Sequence, residues 1–300
     1  MAKLIGFLRL MRPANIVTAV SDILAGVAIA CFVVGINWTE LFFLPVFLLV
    51  LSTVGLYGGG VVFNDVFDAD LDRIERPERP IPSGLISKEV AAVFAVILLI
   101  LAVVAAAFVH DELFSSSFFI AVAIAIAAVI YDKWGKHHAF LGPVNMGLCR
   151  GLNLLLGMSI FPEALSAYWM VSIVPIIYIA AITMISRGEV HGGKKITLFA
   201  AIIFYFIVIA SILATAIGNG FLLHSIGFLV IFIALIFPPL QKAIRDPKGP
   251  IIGKAVKAGV IALIAMNASW AAAFGAFYFA LLILLLLPLS LWLAKLFAVT

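Results

Sequence analysis

The chain reads as all-α, a polytopic membrane helical bundle of nine to ten transmembrane helices around a central cavity. Three observations predict this. Of its 300 residues, 65% are hydrophobic and 11% charged, against about 25% charged in an average soluble domain, and the mean hydropathy is +1.25. Apolar runs of about 20 residues, enough to span a hydrocarbon core of about 30 Å, recur along the whole chain. The polar breaks between them alternate between basic and non-basic. This composition excludes a water-soluble enzyme, a disordered chain and a nucleic-acid-binding module, in spite of a formal net charge of +4. Residues 1–300 are read as a single integral-membrane domain.

The first run, 13–34, follows Lys3, Arg9 and Arg12. That order mimics a secretory signal, but the run is too long for a signal's apolar core and further spans follow, so it counts as the first helix. Runs at 40–66, 88–109, 114–131, 140–160, 165–186, 196–217 and 220–241 come next. As one straight helix the stretch 251–297 would reach about 70 Å at 1.5 Å per residue. It is therefore expected to break near Ala271–Gly275. Cys31 and Cys149 fall inside apolar runs and read as small core residues, not as a disulfide framework or a zinc site.

Basic residues set the expected orientation. They occupy alternate connections: Lys3, Arg9 and Arg12; Arg73, Arg76, Arg79 and Lys88; Lys133 and Lys136; Arg187, Lys194 and Lys195; then Lys242, Arg245, Lys248, Lys254 and Lys257. The positive-inside rule makes that side cytoplasmic. An integral protein of the cell (inner) membrane is expected, its site and N-terminus facing the cytoplasm. Lys295 joins the same side if the chain crosses ten times. Arg150 is the one basic residue left within a run.

The second run ends in Asn64-Asp65-Val66-Phe67-Asp68-Ala69-Asp70-Leu71-Asp72. Asn64, Asp68 and Asp72, at i, i+4 and i+8, share a helix face with a drift of about 40° per step. Carboxylates stacked in this way repel one another and attract cations. Mg²⁺ takes oxygen ligands and commonly bridges to phosphate. Glu75-Arg76-Pro77-Glu78-Arg79-Pro80-Ile81-Pro82-Ser83-Gly84 follows. Its prolines stop the helix and leave Arg76 and Arg79 within reach of the carboxylates. Acids for a metal beside arginines for an anion predict a Mg²⁺–diphosphate site.

This stretch resembles the first aspartate-rich motif of the UbiA superfamily of intramembrane prenyltransferases, N-D-x-x-D-x-x-x-D followed by R-P-x-x-x-G. Arg12-Pro13-Ala14-Asn15 is similar to the opening of that family's first helix. The resemblance implies Mg²⁺-dependent transfer of a prenyl group from a prenyl diphosphate to an unidentified lipophilic or small acceptor, within membrane lipid. It implies Asn64, Asp68 and Asp72 as metal ligands, with Asp65 a fourth metal candidate or a supporting residue. Arg79, with Arg76, would bind the diphosphate, and Asn15 would touch substrate. Tyr131-Asp132-Lys133-Trp134-Gly135-Lys136 is similar to a family element that places a lysine beside the diphosphate or the acceptor. Lys133 and Lys136 both qualify. Asp68, Asp72 or a lysine would handle the acceptor's proton.

The second loop departs from the family pattern. The usual D-x-x-x-D before a glycine and basic residues aligns with Ile185-Ser186-Arg187-Gly188-Glu189-Val190-His191-Gly192-Gly193-Lys194-Lys195. Glu189 takes the second aspartate's place, and Ile185 or Ser186 the first's. Glu189 stays a metal candidate and His191 a further one. Arg187 and Lys194 are candidate diphosphate contacts. One Mg²⁺ or two is left open.

Inside the runs, Asp22 lies seven residues after Asn15, and Arg150 and Asn153 share a face. A charge at the bilayer centre costs about 2.5–3.5 kcal/mol on insertion scales. Arg150 is therefore expected to pair with Asp22 or to approach the acceptor. Asn145 and Asn153 are candidate cavity donors. Tyr57, Phe63, Phe67, Trp169 and Tyr178 are candidates for cation–π contact with an allylic cation. The competing readings are a non-catalytic relative that binds a prenyl diphosphate and a membrane transporter. A transporter would gather its polar groups at mid-membrane, whereas the densest acids here lie where a run ends.

Overall fold

The computed structural model describes residues 2–189 and 192–297, and every regular element among them is helical. In chain order these are α1 (Ala2–Met11), α2 (Pro13–Val34), α3 (Phe43–Phe67), α4 (Ala69–Glu75), α5 (Lys88–Ala107), α6 (Ser116–Lys133) and α7 (Leu141–Met158). Then come α8 (Pro162–Tyr168), α9 (Ile173–Ser186), α10 (Lys195–Gly218), α11 (Leu222–Arg245), α12 (Gly249–Ala273), α13 (Phe277–Leu284) and α14 (Leu286–Leu296).

Nine helical stretches among the described residues are long and apolar enough to cross a membrane: α2, α3, α5, α6, α8 with α9, α10, α11, α12, and α13 with α14. The remaining apolar run of the sequence is α7. Asn145, Arg150 and Asn153 lower its apolarity, and it lies among α2, α6 and α9 rather than at the periphery. Outer helices are apolar on their exposed faces, as at Val93, Ile100, Ile203, Phe206 and Val230. That is how a chain meets lipid.

The long C-terminal run breaks where expected. Helix α12 ends at Ala273, and Gly275 turns the chain at φ 81° before α13 begins. The run at 165–186 is not one helix. A 3-10 turn at Trp169–Ser172 divides α8 from α9, and Pro175 accounts for it by lacking an amide donor and crowding the preceding turn.

Small residues bring the central helices together. Gly26 on α2 and Gly157 on α7 face each other's helix so closely that a Cβ at either would collide with backbone, Leu154 in one case and Ile23 in the other. Ala262, Ala265, Ala268 and Ala271 of α12 are likewise fully buried. Such surfaces let helix backbones approach in lipid. Here the approach carries polar side chains of α2 and α7 into contact.

Candidate functional site

The site begins where α3 runs into α4. Backbone hydrogen bonds from Asp68 to Asn64, from Asp72 to Asp68 and from Arg76 to Asp72 (2.8–3.0 Å) carry the helical ladder through the junction. The expected column therefore exists in the backbone. Its side chains diverge, because each finds a separate partner. The proline-rich segment folds back through turns, with Ile86 N bonded to Pro80 O at 3.1 Å. This returns Arg79 beneath the carboxylates. Arg79 Nη1 lies 2.7 Å from Asp72 Oδ2 and 3.4 Å from Asp65 Oδ1. Lys136 Nζ donates to Asp68 Oδ1 at 2.5 Å.

Arg12 completes the cluster. It sits between α1 and α2 at φ 51°, the one non-glycine residue with positive φ among the described residues. Pro13 fixes the first turn of α2 directly after it. From this bend Arg12 Nη2 reaches Asp65 Oδ1 at 2.6 Å. Thus three cations from three chain segments hold three carboxylates.

The other candidates fall in varied places. Asn15 is half-buried on α2 but outside the cavity lining, and Arg12, three residues earlier, reaches the site instead. Lys133 is exposed, its Nζ 4.4 Å from the ring of Trp134, so of the two lysines only Lys136 meets the carboxylates. Arg187 does not face the cluster. Its Nη2 donates to the carbonyl oxygens of His138 and, at 3.4 Å, Lys136. This braces the turn that carries Lys136. Lys194 is exposed and borders a second cavity of about 390 Å³ with Arg187, Gly188 and Thr197.

In the second loop Ile185 is buried and Ser186 Oγ donates to Thr183 O at 2.9 Å. Neither stands in for an aspartate. Burial raises the Glu189 carboxyl above its usual pKa, and the charge of Arg76 opposes that shift. Among the described residues Arg76 forms no ion pair with the first-loop acids, whose partners are Arg12, Arg79, Lys136, Arg73 and Lys88. His191 lies outside the described residues.

A cavity of about 240 Å³ opens beside the cluster. Arg12, Asn64, Tyr131 and Asp132 line one part, Leu56, Tyr57, Ile124, Met146 and Cys149 another, and Thr53, Arg150 and Asn153 a third. Along α3 it extends from Asn64 to Thr53, about 16 Å at 1.5 Å per residue. Of the aromatic candidates only Tyr57 lines it. Tyr178 is buried, its hydroxyl donating to Gly259 O at 2.7 Å, Trp169 is 53% exposed, and Phe63 stacks on Phe67.

The polar part of the cavity rests on a buried network. Arg150 Nη1 donates to Asp22 Oδ2 at 2.7 Å, the pairing expected from the sequence, and Nη2 to Thr18 Oγ1 at 2.6 Å. Asn153 Nδ2 adds a bond to Asp22 Oδ2 at 3.0 Å, and its Oδ1 accepts from Thr53 Oγ1 at 2.7 Å. Asn267 of α12 donates to Asp22 Oδ1 at 2.7 Å. The Arg150 guanidinium lies 5.1 Å from the Tyr57 ring centroid. Asn145 is not part of this network. It lies against Gly135, where an added Cβ would sit 3.1 Å from its Nδ2.

No three His, Cys, Asp or Glu side chains among the described residues are grouped closely enough to form a metal site on their own. The oxygens of Asn64, Asp65, Asp68 and Asp72 are hard donors of the kind Mg²⁺ takes. Asp132 Oδ2 is a further hard oxygen, buried and without a hydrogen-bond partner. Arg12, Asp132 and Asn267 are functional candidates that the sequence reading missed. The Arg-Pro pair at the start of α2 pointed toward the first of them, and Asp132 lies within the Tyr131–Lys136 element that was read for its lysines.

The described residues thus form a helical membrane bundle with acids and basic residues gathered around one end of a cavity. The UbiA prenyltransferase family model matches residues 23–245, and the chain belongs to that family. It is an integral membrane protein. It is 31% identical over 192 residues to the digeranylgeranylglyceryl phosphate synthase of Sulfolobus acidocaldarius, a match that spans 63% of each chain. With that of Methanothrix thermoacetophila it shares 29% over 205 residues, 64% of this chain and 70% of the other. A UbiA homologue from Aeropyrum pernix K1 superposes with TM-score 0.68 at 15% identity, over 85% of this chain and 96% of that one. One from Archaeoglobus fulgidus, bound to GPP and Mg²⁺, gives 0.54 at 15% identity over 91% and 99%. At these identities the solved structures share the fold.

Proposed function

We propose that this protein catalyses Mg²⁺-dependent transfer of a prenyl group from a prenyl diphosphate to a lipophilic acceptor, on the side of the membrane where its basic loops lie, the cytoplasm. The observation that carries this is the cluster Arg12–Asp65, Arg79–Asp72 and Lys136–Asp68 beside a largely apolar cavity. Asn64, Asp65, Asp68 and Asp72 would hold Mg²⁺, which when bound neutralises charge on the leaving diphosphate. Arg12, Arg79 and Lys136 would turn from carboxylate to diphosphate oxygens, as charge-assisted donors aimed where charge develops. The bond from the prenyl C1 to the diphosphate oxygen breaks with its electron pair on that oxygen. An acceptor oxygen then bonds to C1, and its proton passes to the released diphosphate. The walls formed by Leu56, Ile124 and Met146 keep out water that would capture the allylic cation.

The relatives named above act as digeranylgeranylglyceryl phosphate synthases, which supports a geranylgeranyl donor and an acceptor of the glyceryl phosphate lipid class. The test is pyrophosphate release by the purified protein in lipid, with geranylgeranyl diphosphate and either a geranylgeranylglyceryl phosphate or an aromatic acid. Release that needs Mg²⁺ and the lipid acceptor, and is lost in Asp68→Ala, is the expected result. Binding without release under every acceptor would make the protein a non-catalytic relative. The absence of both binding and release would refute the reading.

A further inference from the structure

Asp132 stands near the end of α6, and its residue is 3% exposed. One carboxylate oxygen, Oδ1, accepts a hydrogen bond from Asn64 Nδ2 at 3.0 Å. The other, Oδ2, is buried without a partner, and the residue lines the cavity. The other buried side-chain atoms left unpaired among the described residues, such as Ser52 Oγ and Trp270 Nε1, belong to neutral groups. A carboxylate oxygen withdrawn from water and given no donor is a high-energy arrangement. It calls for an occupant of the cavity that brings positive charge or a donor.

We propose that Asp132 is a ligand of the divalent cation, supplying from α6 the carboxylate that the second loop lacks. This rests on the prenyl-transfer reading above. Three observations lead to it. Charge balance comes first: Arg12, Arg79 and Lys136 are matched by Asp65, Asp72 and Asp68, and Asp132 is a further carboxylate that pairs with none of them. Donor geometry comes second. The Asn64 amide nitrogen is committed to Asp132 Oδ1, which leaves the Asn64 side-chain oxygen and Asp132 Oδ2 as the hard oxygens of a hydrogen-bonded pair from two helices. Lys136, which holds Asp68, follows Asp132 by four residues. Thirdly, among the described residues of the second loop Ile185 is core and Ser186 bonds its own helix, so neither takes the place of the family's first aspartate, and Glu189 is the one carboxylate there. A diphosphate oxygen and an ionised Asp132 carboxylate would repel one another. A cation between them resolves the repulsion.

The experiment uses the full chain in lipid nanodiscs, with Mn²⁺ replacing Mg²⁺ and inorganic pyrophosphate present, and bound Mn²⁺ read by electron paramagnetic resonance. Asp132→Asn keeps the volume and can still accept from Asn64. It is expected to weaken Mn²⁺ binding at least about tenfold, with Asp132→Glu intermediate. Thermal unfolding without metal checks that the variant is folded. Should the amide not fold, Asp132→Ser, too short to reach the cation, makes the same comparison. Mn²⁺ affinity within twofold of wild type, while Asp68→Ala loses it, overturns the proposal and leaves prenyl transfer standing. Unchanged Mn²⁺ affinity with a raised KM for the acceptor also overturns it and assigns Asp132 to the acceptor. A wild-type protein that binds no Mn²⁺ removes both readings.

Discussion

Removing Arg150 tests whether the buried network beneath the cavity holds the bundle together. The Arg150 side chain is 7% exposed and that of Asp22 1%. Breaking a buried pair by deleting one partner costs about 3–5 kcal/mol, because the survivor stays charged and desolvated. The two deletions differ in what remains. Without Arg150, Asp22 still accepts from Asn153 and Asn267. Without Asp22, Arg150 keeps only Thr18 and the Tyr57 ring. Arg150→Met should therefore cost about 3 kcal/mol, and Asp22→Ala about 5 kcal/mol, near the two ends of that range. The double change Arg150→Met with Asp22→Asn leaves no stranded charge, so it should cost less than the two single costs together. Unfolding in mixed micelles, followed by far-ultraviolet circular dichroism, measures all of them. Arg150→Met within about 0.5 kcal/mol of wild type, the range of an ordinary surface change, would falsify the argument that this pair is buried and mutually dependent.

Further outcomes follow from the same geometry. Arg12→Ala removes a partner of Asp65 and the donor proposed for the leaving group, and should lower the rate of pyrophosphate release about a hundredfold or more. Lys136→Ala should reduce that rate similarly, whereas Lys133→Ala should leave it within about twofold, since Lys133 lies on Trp134. Chelation by EDTA should abolish release, and Mg²⁺ should restore it. Gly26→Ala forces a Cβ against the backbone of α7 and should destabilise the protein by about 1–3 kcal/mol, measured by the same unfolding assay.

Much of the fold could be read in the sequence because lipid imposes one constraint on every span, and apolar runs report it directly. Length demanded a break in the last run, expected near Ala271–Gly275 and found at Gly275, and the cost of a charge in a span left Arg150 either Asp22 or the acceptor, of which the structure shows the pair with Asp22. The division of α8 from α9 depended on where Pro175 fell within its helix, which hydropathy does not register. In the site, the acidic motif was legible because its residues are neighbours in sequence. Arg12 and Asp132 were not, since their partners lie 53 and 68 positions away and only packing joins them. Lys133 and Lys136 differ in how the chain leaves α6, a matter of phase that spacing left open.

The ion pairs connect this packing to the chemistry. Arg12 belongs to the bend between α1 and α2, Arg79 to the proline-rich return, and Lys136 to the turn after α6 that Arg187 braces. Their acids all sit on the α3–α4 junction. In the absence of substrate, each cation therefore ties a separate segment to one helix end, and the carboxylates are not left to repel one another. A diphosphate arriving with a divalent cation can take the basic side chains while the acids take the metal. Charge is then exchanged between partners already in place, and no segment has to carry its cation across open water. On this argument the basic residues should act together. Losing any two of Arg12, Arg79 and Lys136 should reduce pyrophosphate release by a factor that is not the product of the single losses, as expected for residues sharing one network. Strictly multiplicative losses would mean that the three work as independent surface charges.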